Sequence, residues 1–215
     1  MDKDATLVVN LAEDIMVFAD LADFKSTLES RSPEEFLEHA LFDRVPHIFQ
    51  NDRAQYVLWK RVLAKELAVD AACLAIVGTA ALGWSLNPEK NLKPFDNKSD
   101  VDVAVISPYH FTVAWHYLRT ETSRRMSVDR KTRIAWDQHA TNYVYWGTIA
   151  TDKLLGILPF GDLWLRAITT MTSINPTLNR DIKFRIYNDF DSLRSYQALS
   201  VKKARQNLFK VGDDA

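Results

Sequence analysis

The spacing of apolar residues along the chain changes character near residue 70. Before it the spacing is helical. Apolar residues with interspersed acids run from Leu7 to Leu28, which predicts a helix with no marked start. Ser32-Pro33-Glu34-Glu35 then supplies an N-cap serine, a proline at the first helical position and the glutamate of a capping box, with Leu37, Ala40 and Leu41 following on one face. Asn51 or Asp52 caps a longer helix whose stripe contains Ala54, Val57, Leu58 and Val62, widened by Trp59, Leu63 and Leu67.

After Asp70 the period shortens. Leu74-Ala75-Ile76-Val77 is a continuous apolar run ended by Gly78, which predicts a buried strand. A short helix is predicted over Ala80–Leu86, stopped before Pro88, and Asn87–Lys98 reads as an exposed polar loop. Val101, Val103 and Val105 alternate with Asp102, Ala104 and Ile106 in a second strand. Ser107-Pro108 caps a helix containing Phe111, Ala114, Trp115 and Leu118. Tyr143–Trp146 is β-prone, although a helix from Thr148 to Leu155 fits too. Ile182, Phe184 and Ile186 alternate with Lys183, Arg185 and Tyr187 in a strand with one basic face, and Asp191–Leu208 predicts a basic amphipathic helix. The sum is an α+β chain with a small mixed sheet between helical segments. Residues 1–69 form a helical segment packing on a core of residues 70–215, together one compact unit.

Composition narrows the setting. Residues 1–50 hold eleven Asp or Glu against four Lys or Arg, a net of −7, while the whole chain is −1, so the remainder carries +6. The basic later part suits a polyanion such as a triphosphate or nucleic acid, and equally suits solvated helix faces. The lone Cys73 excludes an internal disulfide or a thiolate metal cage. The acidic start lacks a signal-peptide core and no apolar run spans a bilayer, so a cytoplasmic protein is expected.

Candidate chemistry concentrates between residues 77 and 103. Glycine at 78 lets a backbone approach a phosphate closely, and the Thr79 hydroxyl and following amides can donate to its oxygens. In Ser99-Asp100-Val101-Asp102-Val103 the two aspartates are two residues apart in a strand, so their carboxylates share a face. Two adjacent carboxylates in a Val-rich strand are costly unless a cation neutralises them, and Mg2+ prefers such oxygens together with phosphate oxygens.

These residues, Val77-Gly78-Thr79-Ala80-Ala81-Leu82-Gly83 followed by Ser99-Asp100-Val101-Asp102-Val103-Ala104-Val105, resemble the pattern of the nucleotidyltransferase superfamily related to DNA polymerase β. The resemblance covers residues 70–120 directly. It implies a polymerase-β-like core and a Mg2+- or Mn2+-dependent transfer of a nucleoside monophosphate from a nucleoside triphosphate, with release of pyrophosphate. Asp100 and Asp102 would ligate metal, and Gly78, Thr79 and Ser99 would bind the nucleotide. The acceptor would be a protein, an RNA or DNA end, or a second nucleotide, and relatives include bacterial enzymes that modify partner toxins or act in phage defence. The chain departs from the pattern in three ways: threonine stands for the usual serine, the loop before the Asp pair is long, and the late strand offers Lys183 and Arg185 where a third carboxylate belongs. Asp181 is the first candidate for that carboxylate and third catalytic residue, with Asp189, Asp137 and Asp152 as others.

Rival readings are weaker. Gly78 and Gly83 have P-loop spacing, but Trp84 occupies the lysine position. Asp-x-Asp also occurs in metal-dependent glycosyltransferases, against which the early Gly-Thr turn argues. The histidines His39, His47, His110, His116 and His139 lack metal-ligand spacing, and Trp59, Trp115 and Trp136 lie in packing positions. Arg124, Arg125, Arg130 and Lys131 could contact a triphosphate or acceptor, and Asp96 and Lys98 could gate the site. A second class of function is a catalytically degenerate member of the fold that binds nucleotide, nucleic acid or a partner protein. If Lys183 and Arg185 face the Asp pair, the site is internally neutralised; if a further acid approaches it, turnover is supported.

Overall fold

A computed structural model describes residues 18–213. The expected helix from Leu7 lies partly outside them. Its described part is α1 (Leu21–Ser30), capped by Asp20. Ser32 and Glu35 form the reciprocal capping box at the start of α2 (Pro33–Leu37), which continues as a π-helical turn over Glu38–Phe42. Asp52 caps α3 (Arg53–Leu67). Only part of its expected stripe is buried: Trp59, Leu63 and Leu67 pack inward, whereas Val57 and Leu58 are exposed. The buried arc is therefore centred on Trp59, whose Nε1–H donates to Thr177 Oγ1.

The sheet begins with β1 (Leu74–Val77), as its apolar run predicts. The following helix, α4 (Thr79–Leu82), ends earlier than expected, because Gly83 turns the chain at a positive φ of 86°. The polar loop leads to β2 (Val101–Ile106), and Ser107 caps α5 (Pro108–Thr120). The basic region forms α6 (Thr122–Ser127) and α7 (Arg130–Gln138). The β-prone Tyr143–Trp146 is helical instead; the strand is β3 (Thr148–Ala150), starting after Gly147. Then come α8 (Gly161–Met171), β4 (Ile182–Tyr187) and α9 (Phe190–Asp213).

The four strands are ordered β1-β2-β4-β3, with β2 and β4 parallel and both outer pairs antiparallel. The protein is thus α+β, one small mixed sheet with helices before and after it. One face carries Val101, Val103, Val105, Phe184 and Ile186, all buried. Trp164 of α8 packs its ring 5.3 Å from Phe184, and His110 of α5 packs on Trp164. Each large side chain buried there contributes about 1.5–3 kcal/mol relative to exposure. One apolar cluster joins Phe24, Phe36 and Trp59 to Val103, Phe184 and Val201, so the N-terminal helices and the sheet share a core. The outer edge of β1 is met by side chains of α3: Lys60 Nζ donates to the Leu74 carbonyl at 3.3 Å and lies 5.1 Å from the centroid of the Tyr56 ring. Among the described residues no helix is long and apolar enough to cross a membrane.

Candidate functional site

The opposite face of the sheet is polar at its centre. Strand alternation puts Asp102, Lys183 and Arg185 on it, and α9 crosses above them, with the Gln197 side chain donating to the Tyr187 hydroxyl. Between α9 and the strands lies a cleft of about 470 Å3. Gly78, Thr79, Asp100 and Asp102 line it, as do Asp152, Lys183, Arg185 and, from α9, Tyr196, Ser200 and Lys203. The turn and the Asp pair are therefore brought together.

Local geometry explains why these residues meet. The antiparallel register sets Val77 beside Asp102, so the turn after β1 lies against the second aspartate. Gly78 takes φ 66° and ψ −149°, a conformation almost confined to glycine, and a Cβ there would stand 3.0 Å from Asp102 Oδ2. Both the backbone conformation and the close approach require glycine.

Lys183 sits level with Asp102 in the parallel ladder, but its ammonium donates to Asp100 Oδ2. Burial opposes ionisation of Asp100, yet the Lys183 hydrogen bond and charge outweigh it and hold the carboxyl below the ordinary range. The same contact raises the Lys183 ammonium. Asp102 is different: burial first, then repulsion from Asp100, pushes its carboxyl up to about 6. The two carboxylates thus share a face in unlike electrostatic states.

The third acid in the cleft is Asp152 rather than Asp181. The Thr151 N–H donates to the Phe184 carbonyl, and continuing that register brings Asp152 level with Lys183 on the side away from Asp102. Asp152 acts electrostatically on Asp102, Lys183 and Arg185. Asp181 is exposed at the beginning of β4, where its backbone carbonyl accepts from the Val101 N–H, and it does not line the cleft. Ser99 also lies outside, its hydroxyl donating to Asp96 Oδ1. Asp96 is bound to Lys93, Asp137 pairs with Arg125, and Asp189 accepts from the Ser192 N–H and hydroxyl. None of Arg124, Arg125, Arg130 and Lys131 reaches the cleft. The residues that sequence reasoning passed over are Tyr196, Ser200 and Lys203; their spacing on one face of the C-terminal helix was the available signal.

Among the described residues no group of three or more His, Cys, Asp or Glu side chains is gathered as a metal site. Asp100 and Asp102 supply two carboxylates. That donor set fits one Mg2+ or Mn2+, which commonly takes one or two carboxylates and completes its shell with water and phosphate oxygens. A second cavity, about 540 Å3, lies beside Leu74 and Ala75 of β1 and is lined by Arg53, Tyr56 and Lys60; none of the sequence-predicted site residues borders it.

Comparison with protein-family models, curated proteins and solved structures found no match.

Proposed function

We propose that this cleft binds a nucleoside triphosphate with a Mg2+ or Mn2+ ion on Asp100 and Asp102, and transfers its nucleoside monophosphate to an acceptor hydroxyl. The observation that carries the reading is the packing of the Gly78 turn against the Asp102 carboxylate across an antiparallel strand pair, with a parallel strand on its other side. This arrangement suits the polymerase-β-like core that the sequence resemblance implies. The metal would neutralise the carboxylate pair and withdraw charge from the phosphates. The acceptor oxygen forms a bond to the α-phosphorus, the bond from that phosphorus to the bridging oxygen of the β-phosphate breaks, and pyrophosphate leaves. Asp152, as the nearby carboxylate, receives the acceptor proton. A protein, a nucleic-acid end or a nucleotide fits as acceptor, in a cytoplasmic toxin–antitoxin or phage-defence setting.

One observation favours a second reading, in which the fold binds nucleotide, nucleic acid or a partner protein without turnover: Lys183 already neutralises Asp100. Incubation with each labelled nucleoside triphosphate, Mg2+ or Mn2+ and cell extract separates the two. Label transfer or pyrophosphate release that disappears in Asp100→Ala/Asp102→Ala supports the enzyme. Nucleotide binding with identical background turnover in both proteins supports the degenerate binder.

A further inference from the structure

Four cations border the cleft, Lys90, Lys183, Arg185 and Lys203, against three acids, Asp100, Asp102 and Asp152. A site that relied on acids to hold two metal ions would carry the opposite balance. Lys183 has its carboxylate, and Lys90 and Lys203 are exposed on the rim. Arg185 is the exception.

Arg185 projects from β4 at the level of Ala104 on one side and Ala150 on the other. Its guanidinium is clasped between two rings, 4.8 Å from the centroid of Tyr196 and 5.2 Å from that of Tyr143. Asp102 and Asp152 feel its charge, but among the described residues neither forms an ion pair with it. Its Nη1 is buried and has no hydrogen-bond partner there. An orphaned donor on a half-buried charged group is costly, and a planar guanidinium that lines the cleft between two aromatic neighbours matches the paired oxygens of a phosphate.

We infer that Arg185 is a phosphate anchor for the polyphosphate chain of the nucleotide, supplying from the protein the positive charge that a second metal ion would otherwise provide. The inference rests on the proposed nucleotide reading and specifies its ligand contact. Ala104 and Ala150, level with it on the neighbouring strands, place no charged side chain beside it along the ladder, and Tyr143 and Tyr196 flank its guanidinium. Lys203, two turns beyond Tyr196 on α9, adds charge at the rim. Lys183 joins the phosphates when a metal ion displaces it from Asp100. Polyphosphate binding therefore has a component that needs no metal.

The test is calorimetric titration of the full chain with inorganic tripolyphosphate and with ATP, each in Mg2+ and in EDTA. Wild type, Arg185→Gln, Arg185→Lys and Asp100→Ala/Asp102→Ala are compared, with thermal melting of each. Wild type should bind both ligands in EDTA. Arg185→Gln should weaken binding about tenfold or more in either condition, and Arg185→Lys should recover part of it while melting as wild type does. The double aspartate variant should bind in EDTA at least as tightly as wild type, having lost two repelling charges. Arg185→Gln and Arg185→Lys both binding like wild type would overturn the anchor. So would ATP binding that requires Mg2+ and the aspartates alone, an outcome that leaves the nucleotide reading standing. ATP binding absent in every condition removes the nucleotide reading itself. If Arg185→Gln does not fold, the comparison of Arg185→Lys with wild type in EDTA decides, with unchanged affinity again counting against the anchor.

Discussion

Lys183 lies level with Asp102 on a neighbouring parallel strand, yet its ammonium donates to Asp100, two residues earlier and just ahead of β2. A cation supplied by the fold thus holds the position that a divalent ion would take on that carboxylate. Replacing Lys183 by Met should free the Asp100 oxygen and raise Mn2+ affinity about tenfold at low salt, since a unit charge a few ångströms away acts with energies of this order. Titration followed by Mn2+ electron paramagnetic resonance measures it. An unchanged affinity would show that the ammonium does not compete with metal.

Asp102 carries a cost that its substitution should expose. Burial, reinforced by Asp100, raises its carboxyl from 3.8 to about 6. The folded state therefore retains a proton that the unfolded chain has released between those values, and stability falls as pH rises through that window. Above it the cost is complete. Asp102→Asn should accordingly stabilise the metal-free protein at pH 7.5 by about 1–3 kcal/mol, with the gain vanishing near pH 4. Urea unfolding at the two pH values checks this; equal effects at both would contradict the assigned cause.

His139 predicts the opposite pH trend. Its Nδ1 lies 2.6 Å from the Ala135 carbonyl and its Nε2 accepts from the Ala150 N–H at 2.9 Å, which defines the neutral Nδ1–H form. Burial lowers its pKa from 6.5. The unfolded chain takes up a proton first as pH falls, so this contribution is intact above about 6.5 and is lost progressively below it. Protonating Nε2 removes the acceptor of the Ala150 N–H, so the protection of that amide, corrected for the intrinsic rate at each pH, should fall on acidification as the strand that leads to Asp152 loosens. His139→Gln should flatten the pH dependence of unfolding between pH 7 and 5.5. A curve parallel to wild type would assign the trend to other groups.

Gly78→Ala tests the turn directly. Alanine must adopt a φ of 66° and set its methyl 3.0 Å from Asp102 Oδ2. The backbone conformation costs on the order of 1–3 kcal/mol. Melting temperature should drop, and nucleotide affinity should fall with it because the crowded carboxylate is the proposed metal ligand. Retained affinity in a destabilised protein would separate the turn from ligand binding.

Legibility in the sequence followed the range of the interactions involved. Local signals were reliable: the Ser32–Glu35 box, the Asp52 and Ser107 caps and the alternation in β2 and β4 each depend on residues a few positions apart. The strand β3 was not legible, because three residues carry little periodicity and its pairing with β4 spans distant sequence. The choice among the candidate acids was not legible for the same reason. Asp181 is two residues from Lys183 in sequence and lies exposed just before its strand, whereas Asp152 enters the cleft through the non-local β3–β4 register. The orientation of Lys183 and Arg185 toward the Asp pair did follow from alternation once the strands were adjacent, and that adjacency was the step sequence could not supply.

The side chains that α3 lays along β1 have a consequence beyond the cleft. A sheet border with unsatisfied amides and carbonyls invites a strand from a neighbouring molecule, and the accidental partnership ends in runaway association. Lys60, stacked over the Tyr56 ring, occupies that border at the Leu74 carbonyl. The strand that leads into the Gly78 turn is thereby hindered from templating growth at its first residue.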